Sequence, residues 1–484
     1  MRNLLLMCLF SALLVATSCA TLDDPAAARA EHSRSMQEEL AEAGAQYLST
    51  PLTLKQCIRI AMEKSYTLRL AALQRRMSEL DVAQSFSSFL PQISAAVQWT
   101  TWSAQQTMQR SPMADKSYRE LTYGGTMPLF MPATWLLYAN RRLGMEQSAL
   151  TAHIARQSVE YNITLLFYQC LVCEDEIAAL KSQVEATQSQ YRRLRQMHEE
   201  AQIRHWELTS AETQLQTRRL ALATRQRNFT LTRARLLQAM GLSPAAADQL
   251  RLERGSDDSA PDAPEAEEKL ILRALSTHPE LSVADRQIVV AENDVRTAIA
   301  NFLPVASGFL NGSWTSDTIA DRTHNLYGGF SASMDLFKGF SKVVTYKSSK
   351  IAQRQAQLNR NSLFLSIMLE VISSRTALLD AVDAHELSRL NYSAMKERYE
   401  DYLKRYEEGL EPVHEMLDAR SDMDAAEEEL VASRCQRNIA AAMLRMSLGA
   451  MEPPADAQTP EDREFVPKRR AEDLLLGNPA ADKP

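Results

Sequence analysis

The sequence predicts a mainly α protein with a small β portion of membrane type, built twice over from one plan. Three observations predict it. First, segments recur at a separation of 213 residues, pairing Leu68 with Leu281, Glu79 with Glu292, Asp81 with Asp294 and Pro91 with Pro304. The separation then shrinks to 207 for Met127-Pro128-Leu129-Phe130 against Met334-Asp335-Leu336-Phe337, and becomes 208 for Gly241 against Gly449. A period of about 200 is too long for a solenoid unit and reads as two copies of one structural half. Second, each half holds residues that alternate apolar and polar over a membrane-crossing length. Third, each half then runs into long stretches whose apolar positions repeat at 3 and 4, the seam of a coiled coil.

Taken in order, Met1-Arg2-Asn3 precede an apolar run from Leu4 to Val15 and then Ala16-Thr17-Ser18-Cys19. One positive charge, a short apolar core and small residues predict a secretory signal over 1–18, and the run is too short to span a bilayer as a helix. The residues before Cys19 resemble a bacterial lipobox, with Ala16 where leucine is commonest, so lipidation of Cys19 is expected. The alternative is a plain secretory signal with an incidental cysteine. Ala20 is not the aspartate that retains such lipoproteins at the inner membrane, which favours outer-membrane sorting. Residues 19–50 form the lipidated N-terminal segment, and no later stretch of about 18 apolar residues predicts a membrane helix.

The first repeat covers 51–250 and the second 267–450. Within 92–102, Ile93, Ala95, Val97 and Trp99 alternate with Gln92, Ser94, Ala96, Gln98 and Thr100. Within 325–336, Leu326, Gly328, Phe330, Ala332, Met334 and Leu336 alternate with Tyr327, Gly329, Ser331, Ser333 and Asp335. Weaker partners lie at 118–130 and 305–314. A half-buried strand of a soluble sheet shows the same pattern. Polar connections after Trp102 and Trp314, and tryptophans Trp99, Trp102 and Trp314 at the loop ends, favour the membrane reading. Four strands cannot close a barrel and lipid tolerates no open edge, so membrane strands here demand an oligomer.

Helices are predicted from Ala133 to about His198 and from Phe340 to about Tyr406, each about 100 Å long at 1.5 Å per residue and each followed by a returning helix. One seam runs Ile163, Leu166, Cys170, Cys173, Ile177, Leu180, Val184, Thr187, Tyr191, Leu194. A heptad line continues through Leu208, Leu215, Leu222, Phe229 and Leu236, and its second-half counterpart through Met416, Met423, Leu430, Arg437 and Leu444. Three residues after each of the latter stand Ala419, Ala426, Ser433, Ala440 and Ser447, a seam that allows close approach. Residues 251–266 are an acidic linker with Asp257, Asp258, Pro261 and Pro264, and 451–484 read as a flexible tail. Only 14 glycines in 484 residues agree with long helices.

These residues resemble the outer-membrane efflux protein family of TolC-like channel-tunnels. The resemblance covers about 51–450. It rests on Leu52-Thr53-Leu54 opening a short helix, the doubled Phe-Leu-Pro, Pro-Leu-Phe and Asp-Leu-Phe after each second strand, and the helix-hairpin turns. Arg405-Tyr406-Glu407-Glu408-Gly409-Leu410, then Glu415-Met416-Leu417-Asp418-Ala419, is close to the family turn. Glu200-Ala201-Gln202-Ile203, then Glu207-Leu208-Thr209-Ser210-Ala211-Glu212, is a poorer copy, with Ala201 where glycine is usual. The resemblance implies a homotrimer with a twelve-stranded β-barrel in the outer membrane and an α-barrel of twelve helices across the periplasm. It implies docking at the hairpin turns, Gly409 and Ala201, to a periplasmic adaptor and an inner-membrane transporter. The lipobox places the chain in the lipoprotein branch. Carried over, Asp418, Glu415 and Glu207 ring the inner mouth as a cation filter, and Tyr406 joins its constriction. Glu411 occupies the position that often carries a gating arginine, a departure that puts the usual latch in doubt.

Other chemistry finds little support. Cys170-Leu171-Val172-Cys173 falls on two seam positions, and no second Cys or His pair completes a zinc site. His198-Glu199 begins like a metalloprotease helix, but position 202 is Gln. No catalysis, cofactor or metal is expected, and a net charge of −7 argues against nucleic acid as a partner. The competing reading is a non-conducting periplasmic scaffold lipoprotein whose strands form a soluble sheet.

Overall fold

The computed structural model describes residues 25–103, 107–108, 111–112, 114–254 and 265–449. The expected signal, Cys19, most of the acidic linker and the tail lie outside the described residues. In order, the chain forms α1 (Pro25–Tyr47), α2 (Leu54–Lys64), α3 (Tyr66–Ser87), β1 (Gln92–Thr101), β2 (Ser117–Phe130), α4 (Pro132–Glu199) and α5 (His205–Met240). It continues with α6 (Glu267–Thr277), α7 (Pro279–Ala300), β3 (Val305–Thr315), β4 (His324–Ser333), α8 (Ser341–Glu407) and α9 (Val413–Ser447). Helix–helix–strand–strand–long helix–return helix thus occurs twice, as the repeat predicts.

Local chemistry sets the boundaries. Thr53 caps α2 in a capping box: its backbone N–H donates to Gln56 Oε1 at 2.8 Å, and Gln56 N–H donates back to Thr53 Oγ1. Pro91 and Pro304 each follow a helix end and precede a strand, because the residue before proline is pushed out of the helical region. Pro132 takes the first helical position of α4, where its missing N–H costs nothing. The fourth strand ends at Ser333, short of the expected 336. There the Asp335 carboxylate pairs with Lys338 Nζ at 2.7 Å and its carbonyl accepts from Lys342 Nζ, which folds the chain into a turn. Phe340 adopts φ 64°, so α8 starts one residue later than the apolar pattern indicates.

The helices and strands fall into two compact units, and each repeat contributes to both. Among the described residues, one comprises 25–65, 162–254 and 382–439; the other comprises 66–161, 265–381 and 440–449. The second unit carries the sheet, which is antiparallel in the order β1-β2-β3-β4. Its register puts Ile93, Gly125, Leu310 and Gly328 in one cross-strand row, and Ala95, Tyr123, Gly312 and Leu326 in the next. Val97, Leu121, Trp314 and His324 follow. One face therefore collects Ile93, Val97, Trp99, Leu310, Leu326 and Phe330, while the other collects Gln92, Ser94, Gln98, Thr122, Glu120, Asn311, Ser313 and Asn325. Ile93 and Phe330 are each 85% exposed. At the loop end of the apolar face, Tyr123 Oη lies 3.0 Å from His324 Nε2, Trp99 Nε1 donates to Ser117 Oγ, and the Arg119 guanidinium lies 5.6 Å from the Trp99 ring. An apolar band bounded by aromatic and polar groups is the pattern of a lipid-facing strand.

The second unit's core joins Leu270 and Ala274 of α6, Leu281 of α7, Ile367, Val371 and Leu378 of α8, and Ala440, Leu444 and Leu448 of α9. One window of α8 is long and apolar enough to meet the composition test for a membrane helix, where the sequence reading expects none. It is apolar on two sides: Ile367 and Val371 face this core, while Leu365 and Leu369 stand exposed. The first unit buries most of the α4 seam: Ile163, Cys170, Cys173, Ile177, Leu180 and Leu194 are buried, while Leu166, Val184, Thr187 and Tyr191 are half-buried. Among the described residues its cysteines, Cys57, Cys170, Cys173 and Cys435, are buried and outside any disulfide. Burial pushes the Cys57 and Cys170 thiols up to about 12, so they stay protonated and act as small apolar groups. The packing reading of the Cys-x-x-Cys pair holds.

Candidate functional site

The residues expected at the hairpin turns all lie in the first unit. Each turn closes with the same pair of backbone hydrogen bonds. At the α8–α9 turn, Gly409 takes φ 75°, its N–H donates to Tyr406 O at 3.0 Å, and Leu410 N–H donates to Arg405 O at 2.8 Å. At the α4–α5 turn, Ala201 takes φ 57°, its N–H donates to His198 O at 2.9 Å, and Gln202 N–H donates to Met197 O at 2.8 Å. This is a Schellman termination whose left-handed position favours glycine. Only the second turn has one.

The carboxylates divide by role. Asp418 is exposed, on the first turns of α9, between buried Leu417 and buried Ala419. Glu415 stands half-buried in the first turn of α9, where a carboxylate is favoured by the N-terminal dipole. Glu207 does something the sequence did not foretell. Its Oε2 accepts the Arg204 backbone N–H at 2.9 Å, so it caps the start of α5. Glu207 is thus committed to a cap, whereas Asp418 stays exposed. Glu411 makes an ion pair within its own turn, 3.5 Å from Arg405 Nη1, while Arg405 Nε also reaches Asp401 at 3.0 Å. Arg405, in the last turn of α8, thus pairs with an acid of its own helix and with one in the turn before α9.

The two hairpins meet just inside the turns. Leu194, Ala211 and Leu417 form a small buried cluster, with Tyr191, Met197, Ile203 and Leu208 packed on it. Tyr406 Oη approaches Met197 Sδ at 4.0 Å, and Gln190 Nε2 donates to Met416 Sδ at 3.0 Å. A cleft beside them is lined by Gln190, Arg193, Tyr399, Tyr406, Met416 and Arg420.

A polar network farther along the helices escaped the sequence reading. Asp424 of α9 is 2% exposed and Gln183 of α4 is 1% exposed. Arg420 Nε donates to Asp424 Oδ1 at 3.1 Å, and Arg218 Nη2 of α5 lies 3.7 Å from Asp424 Oδ2. Burial pushes the Asp424 carboxyl above its ordinary range, with Arg420 and Arg218 pulling the other way. Nearby, burial also raises the Glu176 carboxyl, opposed by Arg225 at 2.9 Å. The apolar periodicity gave no signal for them: Gln183 and Asp424 stand one place off the seam positions Val184 and Met423, yet they are buried where those two are only half-buried.

Comparison with known proteins agrees with this geometry. Residues 270–450 match the family model described as outer membrane efflux protein. Over this span the resemblance to the family read from the sequence is borne out. The matched span coincides with the second repeat, the one with the glycine turn. No curated protein matches the sequence significantly. Among solved structures, the chain is similar to the outer membrane protein VceC of Vibrio cholerae, at 14% identity and TM-score 0.70, covering 82% of this chain and 96% of that one. It is similar to the Campylobacter jejuni outer membrane channel CmeC, at 15% identity and TM-score 0.73, covering 84% and 87%. The open state of the Neisseria gonorrhoeae outer membrane channel MtrE matches at 17% identity and TM-score 0.68, covering 84% and 91%. At these identities the likeness establishes the fold, and it extends through both repeats.

Proposed function

We propose that this chain is the outer-membrane exit channel of a tripartite efflux or type I secretion system. In this reading it works as a homotrimer, passing substrates outward from a periplasmic adaptor and an inner-membrane transporter. The observation that carries the reading is the sheet: four strands with one continuous apolar face and two strands, β1 and β4, paired on one side only among the described residues. Open edges are not tolerated in lipid, so strands of this kind require copies that close a barrel jointly, and three chains would supply twelve. The family match and the fold support an outer-membrane location with an extension into the periplasm. A second support is an exposed heptad stripe on α8, Val344, Ile351, Leu358 and Leu365, which no helix among the described residues covers.

At the inner mouth, Asp418 and Glu415 repeat about one axis in the trimer and attract cations. Tyr406 joins the constriction, while Gly409 and Ala201 shape the turns that meet the adaptor. Cys19 carries lipid. The first test is molar mass in mild detergent, by light scattering corrected for bound detergent; a trimer is expected, and a well-behaved monomer sinks the channel. The scaffold alternative predicts release into water once Cys19 is replaced, whereas a barrel still needs detergent. For the filter, bilayer recordings of Asp418→Asn and Glu415→Gln are expected to lose cation preference, and unchanged selectivity refutes it.

A further inference from the structure

Five side chains outside the proposed filter tie four helices together. Gln183 of α4 accepts from Arg218 Nη1 of α5 at 3.2 Å, and its own Nε2 donates to the Asp424 carbonyl of α9 at 3.4 Å. Arg218 Nη2 also donates to Ser421 Oγ at 3.3 Å, and Nη1 lies 3.6 Å from Glu428 Oε1. Arg420 of α9 bridges onward, donating through Nε to Asp424 and through Nη1 to Tyr399 Oη of α8 at 3.1 Å. Its guanidinium stands 5.1 Å from the Tyr399 ring. Each hairpin thus meets the other through a directional contact set centred on two buried side chains, Gln183 and Asp424, beyond what apolar packing requires.

Apolar seams leave rotation and sliding of a helix weakly specified, whereas buried polar contacts fix register. Asp424 lies six residues after Asp418 on the same helix, about 9 Å at 1.5 Å per residue. Whatever sets the rotation of α9 at Asp424 also sets where Asp418 and Glu415 point. At the turn end, Glu411 and Arg405 pair within one turn, and the contacts across hairpins there are apolar or to sulfur, Leu417 with Leu194 and Ala211 and Gln190 Nε2 with Met416 Sδ at 3.0 Å.

We infer that Asp424, Arg218, Gln183, Arg420 and Tyr399 form an intrachain latch that fixes the rotation of α9. The latch positions the Asp418 and Glu415 carboxylates and holds the two hairpins in one arrangement. These are positioning residues: none touches the permeating ion. The inference rests on the channel reading above, and its test keeps the two separate.

The experiment is planar-bilayer recording of the purified full-length protein in asymmetric KCl, with oligomeric mass checked by light scattering for every variant. The channel reading requires the parent to conduct with a cation preference that Asp418→Asn reduces; failure of either strikes that reading and the latch with it. Where both hold, Asp424→Asn is expected to lower the cation preference in the same direction as Asp418→Asn. It is also expected to change the ratio of open to closed dwell time by about fivefold or more, the low end of ordinary intersite coupling, because the network holds one arrangement of the hairpins. Asp424→Glu, which keeps the charge between the guanidinium groups, restores most of the parent behaviour. Should Asp424→Asn fail to assemble, Tyr399→Phe and Arg218→Gln remove outer members of the network and are expected to shift both readouts the same way by smaller factors. Parent-like selectivity and dwell ratio in an assembled Asp424→Asn, or in both Tyr399→Phe and Arg218→Gln, overturn the latch.

Discussion

The two repeats make the same corners from different residues, and the difference shows which parts of each are under steric command. Both return helices end on a left-handed glycine. Gly241, at φ 80°, follows α5; a Cβ there would stand 2.4 Å from the Lys64 carbonyl oxygen at the α2–α3 junction. Gly449, at φ 63°, follows α9; a Cβ there would stand 3.1 Å from Pro279 Cδ at the α6–α7 junction. The junctions also correspond, Ser65 in one copy and His278 in the other, both buried. At the far turns the rule relaxes: Gly409 has nothing within 4 Å of a would-be Cβ, and the first copy makes do with Ala201. Close backbone approach keeps glycine at both corners, while the turns need only the dihedral.

That comparison predicts a graded series. Gly241→Ala has the largest effect, a loss of roughly 2–5 kcal/mol, from a left-handed penalty of about 1–2 and an overpacking cost of about 1–3. Gly449→Ala meets the edge of a proline ring instead of a carbonyl and should cost only about 1–2 kcal/mol. Denaturant melts of the purified protein in one detergent give the order, and equal losses at the two sites would remove backbone approach as the cause.

His278 breaks the symmetry of the junctions chemically. Its Nδ1 accepts the Glu280 backbone N–H at 3.4 Å at the start of α7, a role open only to the neutral ring. Burial holds its pKa below the ordinary 6.5, with Glu280 and Glu370 pulling the other way. A histidine with a lowered folded pKa stabilises the fold above its unfolded value and loses that contribution as pH falls through the folded one. Thermal stability should therefore drop on acidification below about 6.5, and His278→Asn, which caps without titrating, should flatten that limb. The same acid slope in both proteins would assign the loss to other groups.

The sequence made legible what periodicity and punctuation control. Period two located the strands, those at 118–130 and 305–314 more weakly, and the 3,4 seam located most of the buried line of α4. It located the turns and the exposed Asp418 as well. It did not reveal that Glu207 caps α5 or that Gln183, Arg218, Arg420 and Asp424 converge. A cap and a filter residue look alike in a sequence, since both are acids near a helix start. Convergence of four polar residues from three helices depends on supercoil phase, which an apolar pattern sets only to within a turn. Phe340 in the left-handed region was equally out of reach, because nothing local demands that conformation of phenylalanine.

The smallest effects belong to the turns themselves, and they separate dihedral from charge. Ala201→Gly removes a left-handed alanine and should stabilise the first turn by about 0.5–1 kcal/mol; the gain is smaller than the steric penalty because glycine also gives the unfolded chain more freedom. Gly409→Ala should lose a similar amount, since no neighbour adds an overlap. Glu411→Gln breaks a partly solvated pair with Arg405, itself shared with Asp401, and should change stability by only a few tenths of a kcal/mol. Opposite signs for Ala201→Gly and Gly409→Ala, with Glu411→Gln near zero, would establish that the turns are specified by backbone dihedral. A loss in Glu411→Gln as large as that in Gly409→Ala would instead make the Arg405–Glu411 pair the element that closes the second turn, and the missing family arginine would then have been replaced by a pair of reversed polarity.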